Sequence, residues 1–104
     1  MSETTNQDAP KCPSHLSREA RQLWRDVHAQ FVIDSATKTL YVVEACRSLD
    51  RLRQAQKSIR EHGLTTSGRY GQQILNPAVG VERTARAALM QSLRQIGFEG
   101  ESYV

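Results

Sequence analysis

Apolar positions recur at three- and four-residue steps from Leu16 onward. Leu16, Ala20, Leu23, Trp24, Val27 and Phe31 form one stripe, which predicts a first helix of roughly four turns. Ser17 is placed to cap it, and Glu19 falls in the first turn, where a carboxylate meets the positive end of the helix dipole. The polar face carries Arg18, Arg21, Arg25 and Asp26. After the short link Phe31-Val32-Ile33, Asp34 is expected to cap a long second helix that runs to His62. Gly63 then supplies a left-handed stop and Leu64 its apolar contact. At about 100° per residue the second helix shows two stripes. Ala36, Leu40 and Val43 share one side, while Tyr41, Ala45, Leu49, Leu52 and Ile59 lie nearly opposite. Such a helix must be sandwiched, with the first helix over the early stripe and a later element over the other.

The later element begins at Asn76-Pro77, an Asn cap followed by Pro at the first helical position. Ala78, Val81, Ala85, Leu89, Ser92, Leu93 and Ile96 then define one face of a third helix, closed by Gly97 and Phe98. Its small residues allow close backbone approach, so the second and third helices are expected to form a long antiparallel hairpin. The glycine-bearing stretch from Thr65 to Gly71 reads as a loop or a small β-hairpin. The fold class is therefore all-α, a short N-terminal helix plus the long hairpin. Residues 1–13 read as a disordered polar arm, 14–98 as one helical domain, and 99–104 as a flexible tail.

Composition narrows the function more than the fold. With 104 residues, 38% of them hydrophobic, the chain has one modest core, and chains of this size gain stability by oligomerising. No apolar run approaches the roughly 20 residues of a membrane span. Cys12 and Cys46 lack metal-ligand spacing and read as two reduced thiols. His15, His28 and His62 show no HxxxH or HExxH pattern. His28 reads as a partly buried polar group, and His62 as a cation in the last turn of the second helix, where it favours the dipole. Gly63, Gly68 and Gly71 make no phosphate loop, and Glu44 and Asp50 read as isolated, solvated carboxylates. No cofactor, metal or catalytic constellation is expected, and the chain is not read as an enzyme.

The net charge of +3 permits a nucleic-acid partner without demanding one. Arg18, Arg21 and Arg25 line the first helix; Arg47 and Arg51 stand one turn apart on the second, with Lys57 on another flank. Guanidinium groups suit bidentate phosphate contact, so these six are the candidate DNA-binding residues. Tyr41, Leu49, Leu52 and Met90 are the candidates for an interface between copies. An ordinary solvated, ion-paired helix surface accounts equally for about half of the basic positions.

The order of these features resembles a known family. Pro10-Lys11-Cys12-Pro13-Ser14-His15-Leu16-Ser17-Arg18-Glu19-Ala20 running into Leu23-Trp24-Arg25, the acidic Asp34 before a long helix, Glu61-His62-Gly63-Leu64, Leu75-Asn76-Pro77-Ala78 and the closing Leu93-Arg94-Gln95-Ile96-Gly97-Phe98 are similar, in that sequence, to phage terminase small subunits. The stretch Thr65 to Gln73 departs from the family pattern in lacking a further proline. The resemblance implies a non-enzymatic protein in the bacterial host cytoplasm, with double-stranded viral DNA and the large terminase subunit as partners. It also implies a homo-oligomeric ring of about eight to ten or more subunits. Two other readings stay open: a small helix-turn-helix transcription regulator, disfavoured by the long second helix and a turn without glycine, and a structural helical adaptor that never touches DNA.

Overall fold

A computed structural model describes residues 11–98. Within them the chain forms α1 (Arg18–Gln30), α2 (Ala36–His62), a two-stranded antiparallel ribbon of β1 (Thr65–Ser67) and β2 (Gln73–Leu75), and α3 (Pro77–Ile96). The architecture is the expected one, helical with a small β-hairpin between the last two helices. The expected tail and most of the expected arm lie outside the described residues. Cys12 and Pro13, expected within that arm, are instead half-buried, and Cys12 packs against the core.

Ser17 caps α1 as its position predicts, its hydroxyl accepting from the Ala20 N–H at 3.1 Å. The cap of α2 is Ser35 rather than Asp34. The Ser35 hydroxyl accepts from the Lys38 N–H at 3.1 Å, and Asp34 instead pairs with the Lys38 ammonium at 3.7 Å. A hydroxyl one residue closer to the helix reaches the orphan amide directly, leaving the carboxylate to serve the side chain.

The two opposite stripes of α2 are not borne out. Ala36 is exposed and Leu40 is 68% exposed, while Val42, Ala45, Cys46, Ser48, Leu49, Leu52 and Ala55 are buried. At about 100° per residue these positions fill one continuous arc of about 180°. Both α1 and α3 therefore lean on the same half of α2, and the other half faces water apart from Val43, which is half-buried against the core. Leu23, Leu49, Leu52, Leu89 and Leu93 are the largest fully buried side chains of the shared core. Each contributes roughly 1.5–3 kcal/mol by leaving water. Ser48 and Ser92 are buried too, small enough for neighbouring backbones to come close.

Gly63 ends α2 at φ 83° and ψ 178°, outside the left-handed helical region, and Leu64 is exposed. The anticipated apolar clasp does not form because the chain leaves directly as extended backbone into β1. Asn76 closes the ribbon's base: its N–H donates to the Leu64 carbonyl at 2.8 Å and its Nδ2 to the Gly63 carbonyl at 2.9 Å. Its Oδ1 accepts from the Ala78 N–H at 2.9 Å, so one buried side chain both joins the helices and caps α3.

On α3 the predicted face is met by Ala85, Leu89, Ser92, Leu93 and Ile96. Val81 is 46% exposed and lines a surface groove instead. At the far end Gly97 takes φ 138°, and a Cβ there would lie 2.8 Å from the Phe31 ring. Phe98 packs on Phe31 with ring centroids 4.7 Å apart, joining the ends of α1 and α3.

Candidate nucleic-acid interface

Charge is unevenly placed along the chain. Glu3, Asp8, Glu99 and Glu101 lie outside the described residues, whereas all fourteen Lys and Arg lie within them, leaving seven carboxylates against fourteen cations. Those seven are all engaged. Glu19 holds Arg53 through two bonds of 2.9 Å, Glu44 takes Ser48 at 3.0 Å and Arg51 at 3.3 Å, and Glu82 takes Arg86 at 2.6 Å. Asp34 and Glu61 pair with Lys38 and Lys57, and Asp26 accepts from Gln22 at 2.8 Å. Asp50 accepts from the Ser17 N–H at 2.9 Å and from its hydroxyl. Glu44 and Asp50 are therefore not isolated as expected: Glu44, still 46% exposed, ties Ser48 and Arg51 within α2, and Asp50 ties α2 to α1.

Arg18, Arg21 and Arg25 form one row along α1, opposite the buried Ala20, Leu23, Trp24 and Val27. The row spans about 10 Å at 1.5 Å per residue. Arg25 donates to the Gln22 side chain at 2.9 Å, and Arg18 and Arg21 enter no ion pair among the described residues. Arg18 meets Lys57 across a cleft of about 600 Å³ that His15, Asp50, Arg53 and Gln54 also line. The start of α1 is not an open anion site, because the Asp50 carboxylate already occupies the Ser17 donors.

Arg47 and Arg51 lie about 60° and 100° around α2 from Asp50, away from α1. Arg47 is exposed and enters no ion pair among the described residues. Arg51, tied to Glu44, borders a shallow groove of about 420 Å³ with Pro77, Gly80, Val81, Thr84 and Ala88 of α3. The six candidate residues thus divide into a set on and beside α1 (Arg18, Arg21, Arg25, Lys57) and a separate pair on α2.

Of the residues expected between copies, Leu49 and Leu52 are fully buried inside the chain, so neither has surface to offer a second copy. Their apolar period is satisfied internally by the single wide arc of α2. Tyr41 is half-buried against the core and Met90 half-buried on α3. Tyr70, which the sequence leaves open to contact with DNA or a second copy while favouring packing within its loop, is 85% exposed at the ribbon's tip, beside Arg69, which the six candidate DNA-binding residues do not include. The signal available was the absence of any carboxylate from Gly63 to Val81.

Among the described residues no group of three or more His, Cys, Asp or Glu could hold a metal ion, and no helix is long and apolar enough to cross a membrane. His28 directs Nδ1 at the Trp24 carbonyl at 2.8 Å and packs on its indole, and His62 Nδ1 lies 3.2 Å from the Ser58 carbonyl. Burial, reinforced by Cys12 and Asp50, pushes the Cys46 thiol up to about 12, which removes it as a nucleophile. A family model described as phage terminase, small subunit, matches residues 20–102. Neither curated proteins nor solved structures provide a match to the chain.

Proposed function

The chain belongs to the phage terminase small-subunit family, and from that premise of a role in phage DNA packaging we propose that it recognises double-stranded viral DNA at the packaging site. In this reading it acts as a homo-oligomeric ring in the host cytoplasm, and it recruits and regulates the large ATPase-nuclease subunit without chemistry of its own. The observation that supports DNA contact is the charge distribution: each carboxylate of the described residues is engaged within the chain, while Arg18, Arg21 and Arg47 are exposed and enter no ion pair among those residues. Per subunit this surplus is modest. Repeated around a ring it becomes multivalent, and weak phosphate contacts then sum to useful affinity.

The test has three parts. Light scattering of the full chain should give a large, defined oligomer; a monomer or dimer sinks the ring. Affinity for duplex DNA should fall steeply with salt, as counterion release requires. Binding that is absent at low salt, or insensitive to salt, removes the DNA reading and favours an adaptor. Capture of a purified large subunit, present or absent, decides the recruitment step.

A further inference from the structure

We propose that the β1–β2 ribbon is a second DNA-contacting element, in which Arg69 and Tyr70 at the tip reach a duplex groove; this rests on the DNA-binding reading above. The tip is held by its own hydrogen bonds rather than by the rest of the chain. Gly68 N–H donates to the Gln72 carbonyl at 2.6 Å, and Gly71 N–H to the Gly68 carbonyl at 3.0 Å. The Gln72 side chain folds back so that its Oε1 accepts from the Tyr70 N–H at 3.0 Å, and Gly71 takes φ 85° in open space. The strands are further tied by Thr65 Oγ1 donating to Gln73 Oε1 at 2.9 Å. A turn ordered in this way presents Arg69 and Tyr70 at little further entropic cost.

What it presents suits a polyanion. Tyr70 is 85% exposed, its ring held in water. Arg69 beside it is exposed and enters no ion pair among the described residues. No carboxylate occurs from Gly63 to Val81, and the ribbon adds the hydroxyls of Thr66 and Ser67 and the amide N–H groups of the Gln72 and Gln73 side chains. A two-stranded ribbon has the width of a major groove, where such donors meet phosphates and base edges. The exposed apolar residues Leu64, Ile74 and Leu75 lie at or near the ribbon's root, whereas the cation and the aromatic ring occupy its tip. That separation favours DNA over a protein partner for the tip.

The experiment is fluorescence anisotropy of the full chain on duplex DNA across a salt series. Replacing Arg69→Ala together with Tyr70→Ala should weaken binding about tenfold and make the salt slope shallower by about one per contacting subunit. Arg69→Lys should restore the slope, and Tyr70→Phe should keep the affinity. Circular dichroism should show unchanged helix content, since both side chains are exposed. If the unaltered chain binds DNA and the double variant binds equally well, the ribbon proposal falls while the DNA reading stands. If the unaltered chain does not bind at low salt, both fall. Loss of self-association or of large-subunit capture with unchanged DNA affinity would make the tip a protein contact and overturn the proposal.

Discussion

Asp50, midway along α2, accepts hydrogen bonds from both the backbone N–H and the hydroxyl of Ser17, the residue that caps α1. The cap is thus itself capped from a second helix, and the Glu19–Arg53 pair stands beside it as another link between the same helices. Ser17→Ala should destabilise the fold by about 1–2 kcal/mol, losing the α1 cap and one Asp50 bond together. Asp50→Ala should cost a similar amount. Because the two act through one contact, urea denaturation of the double variant should show a loss smaller than the sum of the single losses by about 0.5 kcal/mol or more. Strict additivity would mean that the contact carries no stability.

The junction of Phe31 and Gly97 sets a second expectation. Gly97 combines φ 138° with a ring where a Cβ would stand, so Gly97→Ala should cost about 2 kcal/mol or more from backbone strain and displacement of Phe31. In a Phe31→Ala background only the backbone part remains, and the further cost of Gly97→Ala should fall to about 1 kcal/mol. Thermal or urea unfolding of the four proteins checks this. An equal cost in both backgrounds would show that the ring does not hold the glycine in place.

These two contacts show where sequence reading stops. Ser17, Asn76-Pro77 and the closing Gly97 were legible because caps and stops act within a few residues, through orphan backbone groups whose chemistry does not depend on the rest of the fold. The partner of Ser17 lies 33 residues away on another helix, and no local pattern signals it. Helix phase failed for a related reason. Leu40 and Val42 are both apolar, and only the packing of the other helices on α2 decides that Val42 is buried while Leu40 stays in water. The burial of Leu49 and Leu52, expected between copies, follows from the same misjudged face. For the proposed DNA-facing surface, sequence locates the arginines but not their partners, so Arg51 and Lys57 cannot be told there from Arg18 and Arg47.

Cys46 offers a test by pH. Its thiol is pushed from 9.0 up to about 12, first by burial and then by the nearby Cys12 and Asp50. In the unfolded chain the same thiol ionises near its ordinary value, so the unfolded state gains charge first as pH rises. Stability tied to Cys46 is therefore complete below about pH 9 and is lost between about 9 and 12, at about 1.4 kcal/mol per pH unit. Urea midpoints measured across that range should fall more steeply for the unaltered chain than for Cys46→Ala. A thiol reagent at pH 8 should label Cys12 in the folded protein and Cys46 only on unfolding. Equal rates at both thiols, or identical alkaline slopes, would refute the assignment.

The two arginine sets make unequal predictions, because a cation already paired must release its carboxylate before it can serve a phosphate. Arg18, Arg21 and Arg25 changed together to Ala should reduce the dependence of log affinity on log salt by roughly 0.9 per lost contact per subunit, up to about three contacts. Arg47→Ala, with no ion pair to break among the described residues, should weaken DNA binding more than Arg51→Ala, whose guanidinium is held by Glu44 at 3.3 Å. Changing Arg47 and Arg51 together to Glu should weaken binding with helix content intact, since both are exposed. The same salt titrations discriminate the surfaces. If the α1 triple variant alone flattens the slope, α1 faces the duplex; if only the α2 pair does, the duplex lies on the free half of α2. Undiminished binding in both variants would remove these arginines from the interface altogether.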